Sequence, residues 1–130
     1  MNKKAFVTRR MVFSASHILH DDALSAEENR RVFGKCNNPN GHGHNFVVEV
    51  TVTGAIDART GMVFNLTELK RVMAEVIDQG LDHKNLNLDV PAFKKLIPTA
   101  ENIAAVIWDL LQERLTKGLL HEVKMVETEN

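Results

Sequence analysis

The chain has 130 residues, 44% hydrophobic and 25% charged, a balance that excludes a disordered or fibrous chain and predicts one globular domain over residues 1–130. Sixteen Lys and Arg against seventeen Asp and Glu leave a formal net charge of −1, so no cationic surface is on offer to a nucleic-acid backbone and no nucleic-acid partner is expected. No apolar run approaches the roughly 18 to 20 residues of a membrane span; the charged residues 1–10 lack the apolar core of a secretory signal, and the single cysteine, Cys36, admits no internal disulfide, so a reduced, cytoplasmic setting is expected.

In chain order, residues 5–16 are rich in β-formers and predict a strand. Residues 17–44 hold most of the Gly, Asn and Pro and read as a long loop. Within it, Ser25 and Glu28 have capping-box spacing, which predicts a short helix ending before Gly34. Residues 45–53 give the clearest strand, and residues 62–64 a short one. Asn65 then caps a helix whose apolar face is Leu69, Val72, Met73 and Val76. After a loop over residues 80–98, Thr99 caps a second helix with Ile103, Val106, Ile107, Leu110 and Leu111 as its buried stripe, and residues 119–127 close the chain as a strand. Adjacent strands and adjacent helices argue for an α+β fold with an antiparallel sheet. Two helices cover one sheet face only, so bare edges and a bare face predict a homo-oligomer.

The densest chemical signal is the run from Cys36 to Asn45, which contains His42-Gly43-His44. In an extended chain, residues i and i+2 point the same way, about 6.5 Å apart. Two imidazoles can then converge on one metal ion. A catalytic zinc takes three protein ligands and keeps one position open. His17, at the end of the first predicted strand, is the best third ligand; His20, His83 and His121 compete with it. Three neutral ligands leave zinc its full charge to pull on a hydroxyl or carbonyl oxygen. Cys36 stands in a loop beside Lys35, where a neighbouring cation or metal favours the thiolate. Asp82-His83 is a carboxylate–imidazole pair suited to moving protons. Glu127, at the end of the last strand, can accept hydrogen bonds from the guanidine-like edge of a heterocycle. Glu101 sits in the first turn of the second helix, where an acid suits the helix dipole.

Taken together, these runs resemble the 6-pyruvoyltetrahydropterin synthase family, most closely its animal type. The likeness runs through residues 13–17, 27–29, 33–45, 60–62, 65–66, 69–70, 81–86, 89–91, 99, 101–102, 107–109 and 127–128. It implies a tunnelling fold: a four-stranded antiparallel sheet with two helices on one face, the sheets of three subunits closing into a barrel and two trimers stacking as a hexamer. It implies zinc (Zn2+) held by His17, His42 and His44, a catalytic Cys36, a relay by His83 with Asp82, and a pterin anchor at Glu127. It puts Thr99 and Glu101 near the pterin pocket, in sites assembled between subunits. The implied reaction turns 7,8-dihydroneopterin triphosphate into 6-pyruvoyltetrahydropterin and triphosphate, a lyase step of tetrahydrobiopterin biosynthesis.

The chain departs from the family pattern at Phe46, where a Tyr is usual, at Ala100, where a second Thr is usual, and in ending at Asn130, which bears on the outer pairing of the last strand. The nearest rival is 6-carboxytetrahydropterin synthase, whose cysteine stands four residues before the first His of the pair. Here Cys36 precedes His42 by six, which favours the pyruvoyl enzyme. A non-catalytic pterin- or metal-binding module is disfavoured by the presence of Cys36, Asp82, His83 and Glu127 together.

Overall fold

Two long strands set the frame of the computed structural model, which describes residues 3–127. Strand β1, Lys4–His17, pairs antiparallel with β2, His42–Ala55, along its whole length. Residues directly opposite in such a ladder share a face. His17 opposes His42, Ala15 opposes His44, Phe13 opposes Phe46 and Met11 opposes Val48. This face is apolar for most of its length and carries the histidines at one end. Strand β4, Leu120–Val126, pairs antiparallel with the far side of β2, with a bulge that leaves His121 unpaired between Glu122 and Leu120.

The fourth strand is not the predicted one. Residues 62–64 form no strand, because the chain there is folded into a turn: the Asp57 amide donates to the Met62 carbonyl, and the Asp57 carboxylate accepts from the Arg59 and Thr60 amides. The place on the outer edge of β1 is taken by a two-residue strand, β3, Lys84–Asn85, which pairs parallel with Ala15 and Ser16. The sheet order is β3-β1-β2-β4, so the sheet is mixed rather than wholly antiparallel.

Four α-helices lie among the described residues. The Ser25 capping box forms as predicted and starts α1, Ala26–Phe33; Gly34, at φ +57°, ends it and leads into a 3-10 turn, Gly34–Asn37. Asn65 caps α2, Leu66–Met73, which runs on through a wider π turn, Ala74–Asp78. A short α3, Leu86–Asp89, follows β3, and Thr99 caps α4, Ala100–Gln112. The core joins Leu69, Val72, Met73 and Ile77 of the α2 segment and Ile103, Ile107 and Leu111 of α4 to Phe13, Phe46, Val48, Val50 and Val52 of the sheet. Leu110, predicted inside the stripe, is only partly buried. Each fully buried side chain of this size contributes about 1.5–3 kcal/mol. On the opposite face Phe6 and Val12 stay exposed, as expected where helices cover one side only. The last strand spans 120–126 within the predicted 119–127; Thr128 lies outside the described residues. No helix among the described residues is long and apolar enough to cross a membrane.

Candidate metal centre

The register of β1 on β2 decides the third ligand. His17 sits directly across from His42 and diagonally from His44, and the three rings cluster with centroids 4.5, 4.6 and 5.1 Å apart. Gly41 makes this approach possible: it turns at φ +74°, and a Cβ there would lie 3.2 Å from the His17 carbonyl oxygen. The end of β1 is held by Asn87, whose side chain accepts from the Ile18 amide at 2.8 Å and donates to the Ile18 carbonyl at 3.0 Å. The other candidates for third ligand are elsewhere. His20 pairs with Asp22 and Asn37, His121 packs on Phe6, and His83 lies on the outer edge of β1.

The His17 ring is fully buried and its Nδ1 donates to the Pro98 carbonyl at 2.7 Å. A carbonyl can only accept, so the proton is on Nδ1 and the Nε2 lone pair of the neutral ring is free. His17 Nε2, both ring nitrogens of His42 and His44 Nε2 are buried without a hydrogen-bond partner. Buried polar atoms are rarely left so, and four in one place fit the donor set of a metal ion. Phe46 packs edge-on against His17 and His44 and stacks on Phe13, giving the cluster an apolar floor. Glu127, one residue past β4, reaches the same point: its Oε1 is 3.4 Å from His17 Nε2 and 3.6 Å from His44 Nε2. One ligand atom from each of His17, His42, His44 and Glu127 lies within 4.8 Å of all the others.

Burial pushes the His17 imidazole below its ordinary 6.5, and His42 and His44 lower it further against the opposing pull of Pro98 and Glu127. Burial, then His44, likewise lowers His42. Both rings are thus kept neutral, as metal ligation requires. Between the lowered values and 6.5 the unfolded chain binds more protons than the folded one, so stability falls as pH falls through that window. The metal-free protein is therefore expected to unfold at lower temperature as pH drops from about 7 to about 5, an effect that His17→Phe should reduce; a melting temperature flat across that range in the parent protein would contradict it.

Cys36 is half-buried on the 3-10 turn and outside the four-residue cluster. Its turn is laced to the chain just after His17: the Leu19 amide donates to the Cys36 carbonyl at 2.8 Å, and Asn37 Nδ2 donates to the Leu19 carbonyl at 2.8 Å. Asp82 and His83 are not brought to the cluster. Asp82 Oδ1 accepts from the Ser14 amide on the outer edge of β1 at 2.8 Å, its Oδ2 is 2.9 Å from His83 Nδ1, and the Ser14 amide is the chief cause of its lowered pKa. His83 adopts φ +60°, uncommon for a side-chain-bearing residue, and its amide donates to the Ser14 carbonyl at 2.6 Å. Its ring is 82% exposed and points away from the protein's interior. Gly80, where a Cβ would fall 2.3 Å from the Val76 carbonyl oxygen, lets the chain leave the π turn toward this pair. The Thr99 hydroxyl accepts from the Asn102 amide at 3.1 Å as a helix cap, and Glu101 is exposed beside it.

Sequence reasoning missed Pro98, Ser14 and Asn87, which act through backbone groups or local amides and carry no motif. It also missed an open cleft of about 680 Å³ lined by Ile18, Ile97, Arg30, Lys94 and Lys95, among others. Ile18 follows His17 and Ile97 precedes Pro98, so the cleft adjoins the metal centre along the chain.

The 6-pyruvoyl tetrahydropterin synthase family profile matches residues 6–130. The chain is 58% identical over 127 residues to the human 6-pyruvoyl tetrahydrobiopterin synthase, covering 98% of this chain and 88% of that one. It is 49% identical over 130 residues to the Dictyostelium discoideum protein of the same name, covering 100% and 94%. The solved structure of Caenorhabditis elegans 6-pyruvoyl tetrahydropterin synthase superposes with a TM-score of 0.93 at 41% identity, covering 98% of this chain and 91% of that one. The chain belongs to the 6-pyruvoyl tetrahydropterin synthase family and is an enzyme of its lyase type.

Proposed function

We propose that the chain converts 7,8-dihydroneopterin triphosphate to 6-pyruvoyltetrahydropterin and triphosphate, in the cytoplasm, as a step of tetrahydrobiopterin biosynthesis. The observation that carries this reading is the set of unpartnered imidazole nitrogens of His17, His42 and His44 above an apolar floor, in a chain so similar to named synthases. Three nitrogen donors at this spacing suit zinc. When bound, the ion supplies a positive charge that draws on the side-chain oxygens of the substrate and makes neighbouring C–H and O–H protons more acidic.

The protein's own groups do the rest. The Cys36 sulfur takes protons from the substrate side chain as a base. His83, oriented by Asp82, returns or relays them. Glu127 fixes the pterin ring through paired hydrogen bonds, with Thr99 and Glu101 at the edge of its pocket. The adjoining cleft sets Arg30, Lys94 and Lys95 against Asp21 and Asp22, and its remaining cationic excess suits the triphosphate. Hydrogens move within the substrate, the C–O bond to triphosphate breaks, and two keto groups remain, so no external reductant is needed.

The exposed His83 ring and its distance from the cluster along β1 favour a site completed by a second copy. The open edges of the sheet and the exposed Phe6 and Val12 favour the same copies closing their sheets into a barrel, within a hexamer of two trimers. Product analysis by mass spectrometry, alongside metal content, tests the proposal. A 6-pyruvoyl pterin from zinc-loaded protein is expected; acetaldehyde with a 6-carboxy pterin would reject it in favour of the carboxy enzyme.

A further inference from the structure

We infer that Glu127 is a fourth ligand of the metal in the absence of substrate, and that substrate binding displaces its carboxylate. The inference deepens the proposed function and rests on the same metal centre.

His17 Nδ1 carries the ring proton toward Pro98, so Nε2 presents a lone pair. That lone pair faces Glu127 Oε1 at 3.4 Å. His44 Nε2, buried and without a hydrogen-bond partner, lies 3.6 Å from the same oxygen. These distances are too long for hydrogen bonds. Two acceptors aimed at one another repel, unless a cation lies between them. A regular tetrahedral zinc site with ligand bonds of about 2.0–2.2 Å has ligand atoms roughly 3.3–3.6 Å apart, the edge being about 1.63 times the bond. The separations from Glu127 to His17 and His44 fall in that range, and the whole set of four ligand atoms lies within 4.8 Å.

A set of three imidazoles and a carboxylate closes all four positions, as in a structural site. The reaction needs one of them open. The imidazoles stand on a long, fully paired ladder, whereas Glu127 lies one residue past the end of β4 with its side chain 34% exposed. It is the one ligand free to swing without breaking strand pairing. Substrate oxygens take its place, and the released carboxylate becomes available to the pterin. The same side chain thus holds the resting metal and recognises the ring.

The test compares the parent protein with Glu127→Gln and Glu127→Ala, each loaded with cobalt(II) or titrated with zinc in the absence of substrate. Both variants are expected to bind zinc more weakly by at least the roughly 10-fold that loss of an outer partner of a metal ligand costs. Their cobalt visible bands should shift in position and intensity. Adding 7,8-dihydroneopterin to the cobalt-loaded parent should shift its bands too. Unchanged zinc affinity and bands in both variants would overturn the inference and leave Glu127 as a pterin anchor alone. Product identity is read separately, so failure of the proposed reaction with intact metal effects remains distinguishable. Unfolding curves of the metal-free variants, expected to overlay the parent's, separate ligand loss from misfolding.

Discussion

Replacing His42 by Ala is expected to strip the protein of zinc and abolish turnover. His42 stands in the middle of the cluster, with both ring nitrogens buried and unpartnered, and its ring is within 4.6 Å, centroid to centroid, of both His17 and His44. Its removal leaves two imidazoles. Losing even an outer partner of a metal ligand costs about 10- to 100-fold in affinity or activity, and losing a ligand itself costs more. The fold should persist, because His42 is the first residue of β2 and the apolar ladder begins only at Phe46. Elemental analysis of purified parent and variant checks this; equal zinc per chain would show that His42 is not a ligand.

Cys36→Ala is expected to keep its zinc and lose roughly 10²-fold or more in rate, the usual contribution of a positioned general base. The 3-10 turn that carries Cys36 is tied by backbone and Asn37 contacts to the chain after His17, and none of those contacts uses the sulfur. Truncation should therefore remove chemistry without moving the imidazoles. The pattern to look for is a fall in kcat with zinc content and melting temperature unchanged. Full turnover in this variant would return the chain to the class of binding modules.

Much of this site was legible because its residues depend on short-range spacing. His42 and His44 share a face by the two-residue repeat of a strand, and the capping box at Ser25 and the cap at Thr99 are local hydrogen-bond patterns written within four residues. From its residues alone the sequence ranked His17 first among four candidate histidines without deciding between them. Its selection needs the β1–β2 register, which the sequence specifies through a long apolar ladder rather than through any motif. The two-residue β3 was invisible, since Lys84–Asn85 has no strand composition and pairs only because His83 and Asp82 dock on Ser14. Residues 62–64 look like a strand by composition, yet the Asp57 turn takes up the Met62 carbonyl and folds the chain there. The antiparallel sheet expected from element order became mixed for these two reasons. Glu127 was read from the resemblance as a pterin anchor; its approach to the imidazoles depends on β4 pairing with β2 in the register that sets Val126 opposite Val47.

The chemistry of the site depends on where a metal sits. Anomalous diffraction from a crystal of the zinc-loaded protein, with data on both sides of the zinc absorption edge, tests it most directly. The expected result is one strong peak per chain between the free ring nitrogens of His17, His42 and His44, touching Glu127 when no substrate is present. A peak elsewhere, or none in protein that turns over, would contradict it.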